Sequence, residues 1–147
     1  MKRHEALISY SHSHHEALLV ALRLKKGGPS SPHDTLWPKE PLEQAQALLR
    51  FADRELSPHF EQEEQLLFPA ARGKYADLDG LIDSLLTDHN QFRKALEEIS
   101  GEKSVPVLSL QLKSFGEMLE KHIRTEERDL FPRIEAEIEK GGIILLG

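Results

Sequence analysis

Apolar residues recur at three- and four-residue intervals along four stretches of this chain, and on each stripe polar side chains take slots reserved for a core. One stripe reads Leu42, Ala45, Leu49, Ala52, Leu56, then His59 and Glu63, then Leu66 and Ala70. The next reads Leu78, Ile82, Leu85, then His89, then Phe92, Leu96 and Ile99. The last reads Leu108, Leu112, Phe115, Leu119, then His122 and Glu126, then Leu130. This spacing is that of one helix face turned inward. No convincing run of alternating apolar residues competes with it, so no sheet is predicted.

Breakers set the helix limits. The first helix is expected from about Lys2 to Lys26, stopped by "GGPSSP". The second starts near Glu40 or Pro41, with proline tolerated in a first turn, and reaches about Arg72, capped by Gly73. The third spans about Asp77 to Ser100 and ends at Gly101. The fourth follows Ser104, an N-cap with Pro106 just inside, and runs to Lys140. The connections are short enough for antiparallel neighbours. The prediction is all-α: an antiparallel up-down-up-down four-helix bundle, one domain over residues 1–147, a common size for one core.

The first helix offers His12, His14 and His15. The stripe through His14 is Leu7, Tyr10, Ala17, Leu18, Ala21 and Leu24, apolar throughout. The stripe through His15 carries Ser11 and Lys25. His14 is therefore preferred as the inward residue, with His15 the alternative. His4 and His33 read as solvated, and Trp37 as an anchor for its loop.

An internal repeat sharpens the picture. "HFEQEEQLLFP" (His59 to Pro69) and "HIRTEERDLFP" (His122 to Pro132) share six of eleven residues, sixty-three positions apart. Residues i and i+4 lie one turn apart on one face. His59 with Glu63, and His122 with Glu126, therefore project together into the bundle. Glu64 and Glu127, about 100° round, are expected at the boundary or in solvent. Leu-Phe then caps the layer with apolar side chains, and the proline kinks or ends the helix. Pro58 has Lys121 as its counterpart and should bend the second helix alone.

A buried carboxylate without a partner costs several kcal/mol or more. No Lys or Arg falls on these stripes near the His/Glu level, so metal cations must supply the missing charge. With no cysteine in the chain, the donors are nitrogen and oxygen only. Imidazole with carboxylate suits iron, manganese or zinc, and four His with two Glu exceed one tetrahedral zinc. Two iron ions bridged by the carboxylates, and by an oxo or hydroxo group, fit best. That leaves a position for water, oxygen or another small ligand. Rival motifs fail: "HEALI" and "HEALL" lack the second His of a zinc protease helix, Glu-x-x-His pairs are absent, and there is no Gly-rich phosphate loop.

Composition bounds the setting. The net charge is −6 and basic residues are scattered, which disfavours nucleic acid. No stretch approaches the roughly 20 apolar residues of a membrane helix, and the start lacks a secretory pattern, so a cytoplasmic protein is expected.

One His, then His-x-x-x-Glu, one His, and His-x-x-x-Glu again, with each pair leading into Leu-Phe-Pro, resembles the hemerythrin-like HHE cation-binding domain over essentially the whole chain. "SHSHHEALLVALRLKKG" is similar to the opening helix of a bacterial branch. The resemblance implies a non-haem di-iron four-helix bundle with His14 (or His15), His59, Glu63, His89, His122 and Glu126 as ligands. Oxygen carriers of the family have a further His one turn after the third-helix ligand; here it is Arg93, so reversible oxygen transport does not carry over. Sensing, nitric oxide handling and iron–sulfur repair also occur in the family; repair members usually have a cysteine-bearing segment that this chain lacks. The expectation is a protein binding oxygen, nitric oxide or peroxide for sensing, storage or detoxification. The alternatives are an enzyme turning over peroxide, nitric oxide or ferrous iron, and a helical module with a structural metal.

Overall fold

The computed structural model describes residues 3–145; Lys2, where the first helix was expected to open, lies outside them. Helix α1 covers Ile8–Lys26 after a 3₁₀ turn at Glu5–Leu7. Helix α2 is a continuous run over 41–71, α3 is Ala76–Gly101, and α4 runs over 105–139. No strand occurs among the described residues. The limits follow local chemistry. Gly27 closes α1 at φ 77°, a left-handed position where its N–H returns to the Arg23 carbonyl. Ser104 caps α4 by accepting from the Val107 N–H, with a proline in the first turn.

Two of the helices are not uniformly α. In α2, wider π turns occupy Ala52–Leu56 and Glu63–Leu67; in α4, one occupies Glu126–Leu130. Pro58, Pro69 and Pro132 each stand two residues beyond such a turn. The residue before each proline donates to the carbonyl five back: Ser57 to Ala52, Phe68 to Glu63, Phe131 to Glu126. Proline lacks an N–H, and its ring crowds the carbonyl four back; the widened turn accommodates both. The prolines were expected to kink or end their helices. None of the three ends its helix: α2 and α4 continue through them, with one extra residue taken up per turn.

Contacts along the helices give their directions. Lys25 pairs with Glu120 while Ser11 reaches Glu127, so α1 and α4 are antiparallel. Glu64 contacts Arg93 and Arg72 contacts Asp83, so α2 and α3 are antiparallel. His122 meets Asp88 and Arg133 meets Asp77, giving the same for α3 and α4. Gln44 donates to the Gly27 carbonyl and the Tyr10 ring sits against His59, which completes the up-down-up-down bundle. At the α1–α2 end, Trp37 is buried beneath the Arg23 guanidinium, which lies 5.3 Å from its ring and also binds Asp34.

The apolar interior falls into two clusters. One contains Leu24, Leu48, Phe51, Phe60, Phe92, Phe115 and Leu119. The other contains Leu7, Tyr10, Leu67, Phe68, Leu85, Leu130 and Phe131. A polar layer lies between them. The stripes expected on α1, α3 and α4 face inward, with Leu18 and Leu96 only half-buried. On α2 four positions differ: Leu42 and Leu66 are exposed and Leu49 and Ala70 half-buried, while Leu48, Leu67 and Ala71 are fully buried. An ordinary turn leaves Leu66 and Leu67 equally placed below Glu63, whereas the π turn brings the i+4 residue, Leu67, under it.

Candidate metal centre

Each helix sends at least one polar side chain into the layer between the clusters. His14, His59, Glu63, His89, His122 and Glu126 are all buried, and both glutamates are fully so. The i+4 spacing sets His59 Nε2 3.4 Å from Glu63 Oε2 and His122 Nε2 3.2 Å from Glu126 Oε1. Each glutamate also reaches across the bundle. Glu63 Oε1 is 3.2 Å from His89 Nε2, and Glu126 Oε1 is 3.4 Å from His14 Nε2. The four Nε2 atoms and the four carboxylate oxygens all lie buried without a hydrogen-bond partner. Eight such atoms at one place are far beyond the few expected of a whole domain.

The imidazoles are held so that the same nitrogen faces inward. His14 Nδ1 lies 2.8 Å from Glu127 Oε2, His89 Nδ1 2.7 Å from Glu64 Oε2, and His122 Nδ1 2.9 Å from Asp88 Oδ2. A carboxylate only accepts, so each Nδ1 carries a proton and donates, and Nε2 is the nitrogen aimed at the centre, its lone pair free to ligate once the ring is neutral. Two of these acceptors are in turn held by arginine: Arg93 sits 2.9 Å from Glu64, and Arg3 sits 3.3 Å from Glu127. Aromatic rings fix the imidazole planes. Phe60 stacks on His89 at 3.9 Å, and Phe131 lies parallel to His14 at 5.7 Å.

Donor atoms gather in two groups. His14, His59, Glu63 and Glu126 bring four within 4.8 Å of one another; Glu63, His89 and His122 bring three. Without cations the charges conflict. Burial, reinforced by the facing Glu126 charge, pushes the Glu63 carboxyl well above its ordinary range. At Glu126 burial acts in the same direction, but Glu63 and His122 overcome it and hold it well below. Burial opposes charge on His122 too, yet Glu126 and Asp88 raise it to about 9. His59 and His89 are driven down to about 4, chiefly by burial. Among the described residues no Lys or Arg reaches the inner pair, whose neighbours are histidines. Buried neutral imidazoles and carboxylates free of competing cations are the donor set that nitrogen- and oxygen-seeking metals take.

A narrow cavity opens beside the first group, walled by Ala17, Phe51, Leu56, Leu119 and Ile123 and floored by His14, His59, His122 and Glu126. Its volume of 10 Å³ is about the least that holds one water molecule.

The α1 alternatives separate clearly. His14 is buried in the layer, whereas His15 is exposed, faces its neighbour His12, and lies outside both groups. The correction is geometric: His15 is one residue, about 100°, away from the inward stripe. His12 and His33 are exposed as well. His4, expected to be solvated, is half-buried and accepts from the Ala6 N–H. Glu64 and Glu127 do lie at the boundary, but their hydrogen bonds to histidines of other helices went unforeseen, as did the role of Asp88. The available signals were the Glu-Glu doublet in both repeats and the Asp-His dipeptide at 88–89.

The family model for the hemerythrin HHE cation binding domain matches residues 6–139. No curated protein and no solved structure gives a significant match.

Proposed function

The chain belongs to the hemerythrin HHE cation-binding domain family, and from that premise we propose that it holds two iron ions and uses them to bind a small ligand such as oxygen or nitric oxide. His14 and His59 would serve one ion, His89 and His122 the other, with Glu63 and Glu126 shared between them. The observation that carries this reading is the set of eight buried donor atoms with no hydrogen-bond partner. Leaving them unmatched would cost several kcal/mol per carboxylate.

Iron would bring a redox-active centre with an affinity for small ligands; an oxo or hydroxo bridge would complete its shell. The protein's own contribution is positional. Glu127, Glu64 and Asp88 hold protons on Nδ1 and so present Nε2. Phe60, Phe68, Phe131 and Phe92 pack against the imidazoles and exclude bulk water. The cavity beside His14 and His59 has room for about one water-sized molecule and is lined mainly by apolar side chains, with Ser13 and Glu55 among them, which suits a small uncharged ligand such as oxygen or nitric oxide. That favours ligand binding, for sensing, storage or detoxification, over a purely structural metal. No helix among the described residues is long and apolar enough to cross a membrane. We place the function in the cytoplasm, in a single domain.

Protein purified without chelator should contain about two irons per chain, and its optical spectrum should change on admitting oxygen. Glu63→Ala or Glu126→Ala should lose at least one iron and lower the melting temperature of the loaded protein. Full occupancy in both variants would exclude them as ligands.

A further inference from the structure

The layer has an approximate two-fold relation with one break in it. His14 corresponds to His89, His59 to His122, and Glu126 and Glu127 to Glu63 and Glu64. The correspondence holds atom by atom: the second glutamate of each repeat accepts from Nδ1 of the single-His helix, Glu64 from His89 and Glu127 from His14. Asp88, one residue before His89, accepts from His122 Nδ1. By the same relation the acceptor for His59 should stand one residue before His14. That residue is Ser13. It lines the cavity with His59, but its hydroxyl donates back to the Ser9 carbonyl of its own helix at 3.3 Å. Among the described residues no acceptor holds His59 Nδ1.

A carboxylate on the far nitrogen orients a ligating imidazole and raises its basicity, and losing one typically weakens metal binding about 10–100-fold. Both imidazoles of the His89/His122 group have this support; only one of the His14/His59 group does. The cavity also meets both imidazoles of the less supported group but only His122 of the other. Resting on the dinuclear reading above, we propose that Ser13 makes the two metal positions unequal. The His89/His122 position fills first and retains its ion. The His14/His59 position is the exchangeable one, because Ser13 stands where a carboxylate would tie His59 Nδ1 and bonds to its own helix instead.

The test is an anaerobic calorimetric titration of metal-free protein with ferrous iron. Two phases are expected, with dissociation constants about 10-fold or more apart. His59→Gln should remove the weaker phase and keep the tighter. Ser13→Asp should strengthen the weaker phase alone and bring the two together, while Ser13→Ala leaves both unchanged, a pattern a merely structural effect would not produce. Should Ser13→Asp fail to fold, Asp88→Ser should weaken the tighter phase until the two coincide. Two ions entering in one unresolved phase, or a Ser13→Asp protein with unaltered affinities, overturns the inference and leaves the dinuclear reading intact. Fewer than two ions bound by the unaltered protein overturns that reading and this one together.

Discussion

The imidazoles of the layer point Nε2 inward, and a carboxylate ties the other nitrogen wherever one is in reach. Glu127, Glu64 and Asp88 do this for three of them, and Arg93 and Arg3 hold two of the acceptors. Arg93 therefore does not enter the layer in place of a fifth histidine; it turns outward and supports His89 through Glu64. The same residues predict how binding depends on pH. In metal-free protein near neutrality His122, raised to about 9, keeps a proton, and burial beside Glu126 makes the Glu63 carboxyl hold its own to higher pH than a free carboxyl does. Cations must displace both. Apparent iron affinity should rise with pH, and less steeply once His122 loses its proton near 9, because above that pH one fewer proton is expelled on metal binding. Calorimetry in buffers of different ionisation heat should detect that release; heats independent of buffer would contradict it.

At the level of elements, two devices bring the helices into register. One is the π turn. Glu63 and Glu126 each begin such a turn, which places Leu67 and Leu130 directly beneath the carboxylates. The other is Gly116, at the closest approach of α4 to α1. A methyl group there would stand 2.8 Å from the Ala21 carbonyl oxygen and from Leu24 Cβ. Helix propensity favours alanine by about 1 kcal/mol, but forcing a methyl into that backbone contact costs roughly 1–3 kcal/mol. Gly116→Ala should therefore lower the melting temperature, while Gly80→Ala, with open space around it, should raise it slightly. Thermal unfolding monitored by circular dichroism checks both. Most of this level was legible beforehand. Glycine and proline set the helix limits to within a few residues, and Ser11 and Lys25 on the His15 stripe already favoured His14. Leu66 misled because a 3.6-residue period fits it as well as Leu67. Only the i+5 bond separates them, and its one local mark is the proline two residues beyond the turn. The links from Glu64 to His89 and from Glu127 to His14 cross between helices, and helical spacing alone does not report such contacts.

Across the whole molecule, the interior is two apolar clusters with a layer of donors between them, and the internal repeat divides that layer evenly. The α1–α2 hairpin carries both imidazoles of one group and Glu63; the α3–α4 hairpin carries both of the other and Glu126. Each hairpin thus lends its partner one carboxylate. The link at 72–75 is exposed over most of its length, and Gly73 there adopts φ 93°. Cut at that link and mixed, the two fragments should assemble far better with ferrous iron than in chelator, as size-exclusion chromatography would show. The peptide bond joining the halves would then be dispensable, with inorganic ions serving as the stitch that a covalent backbone normally provides.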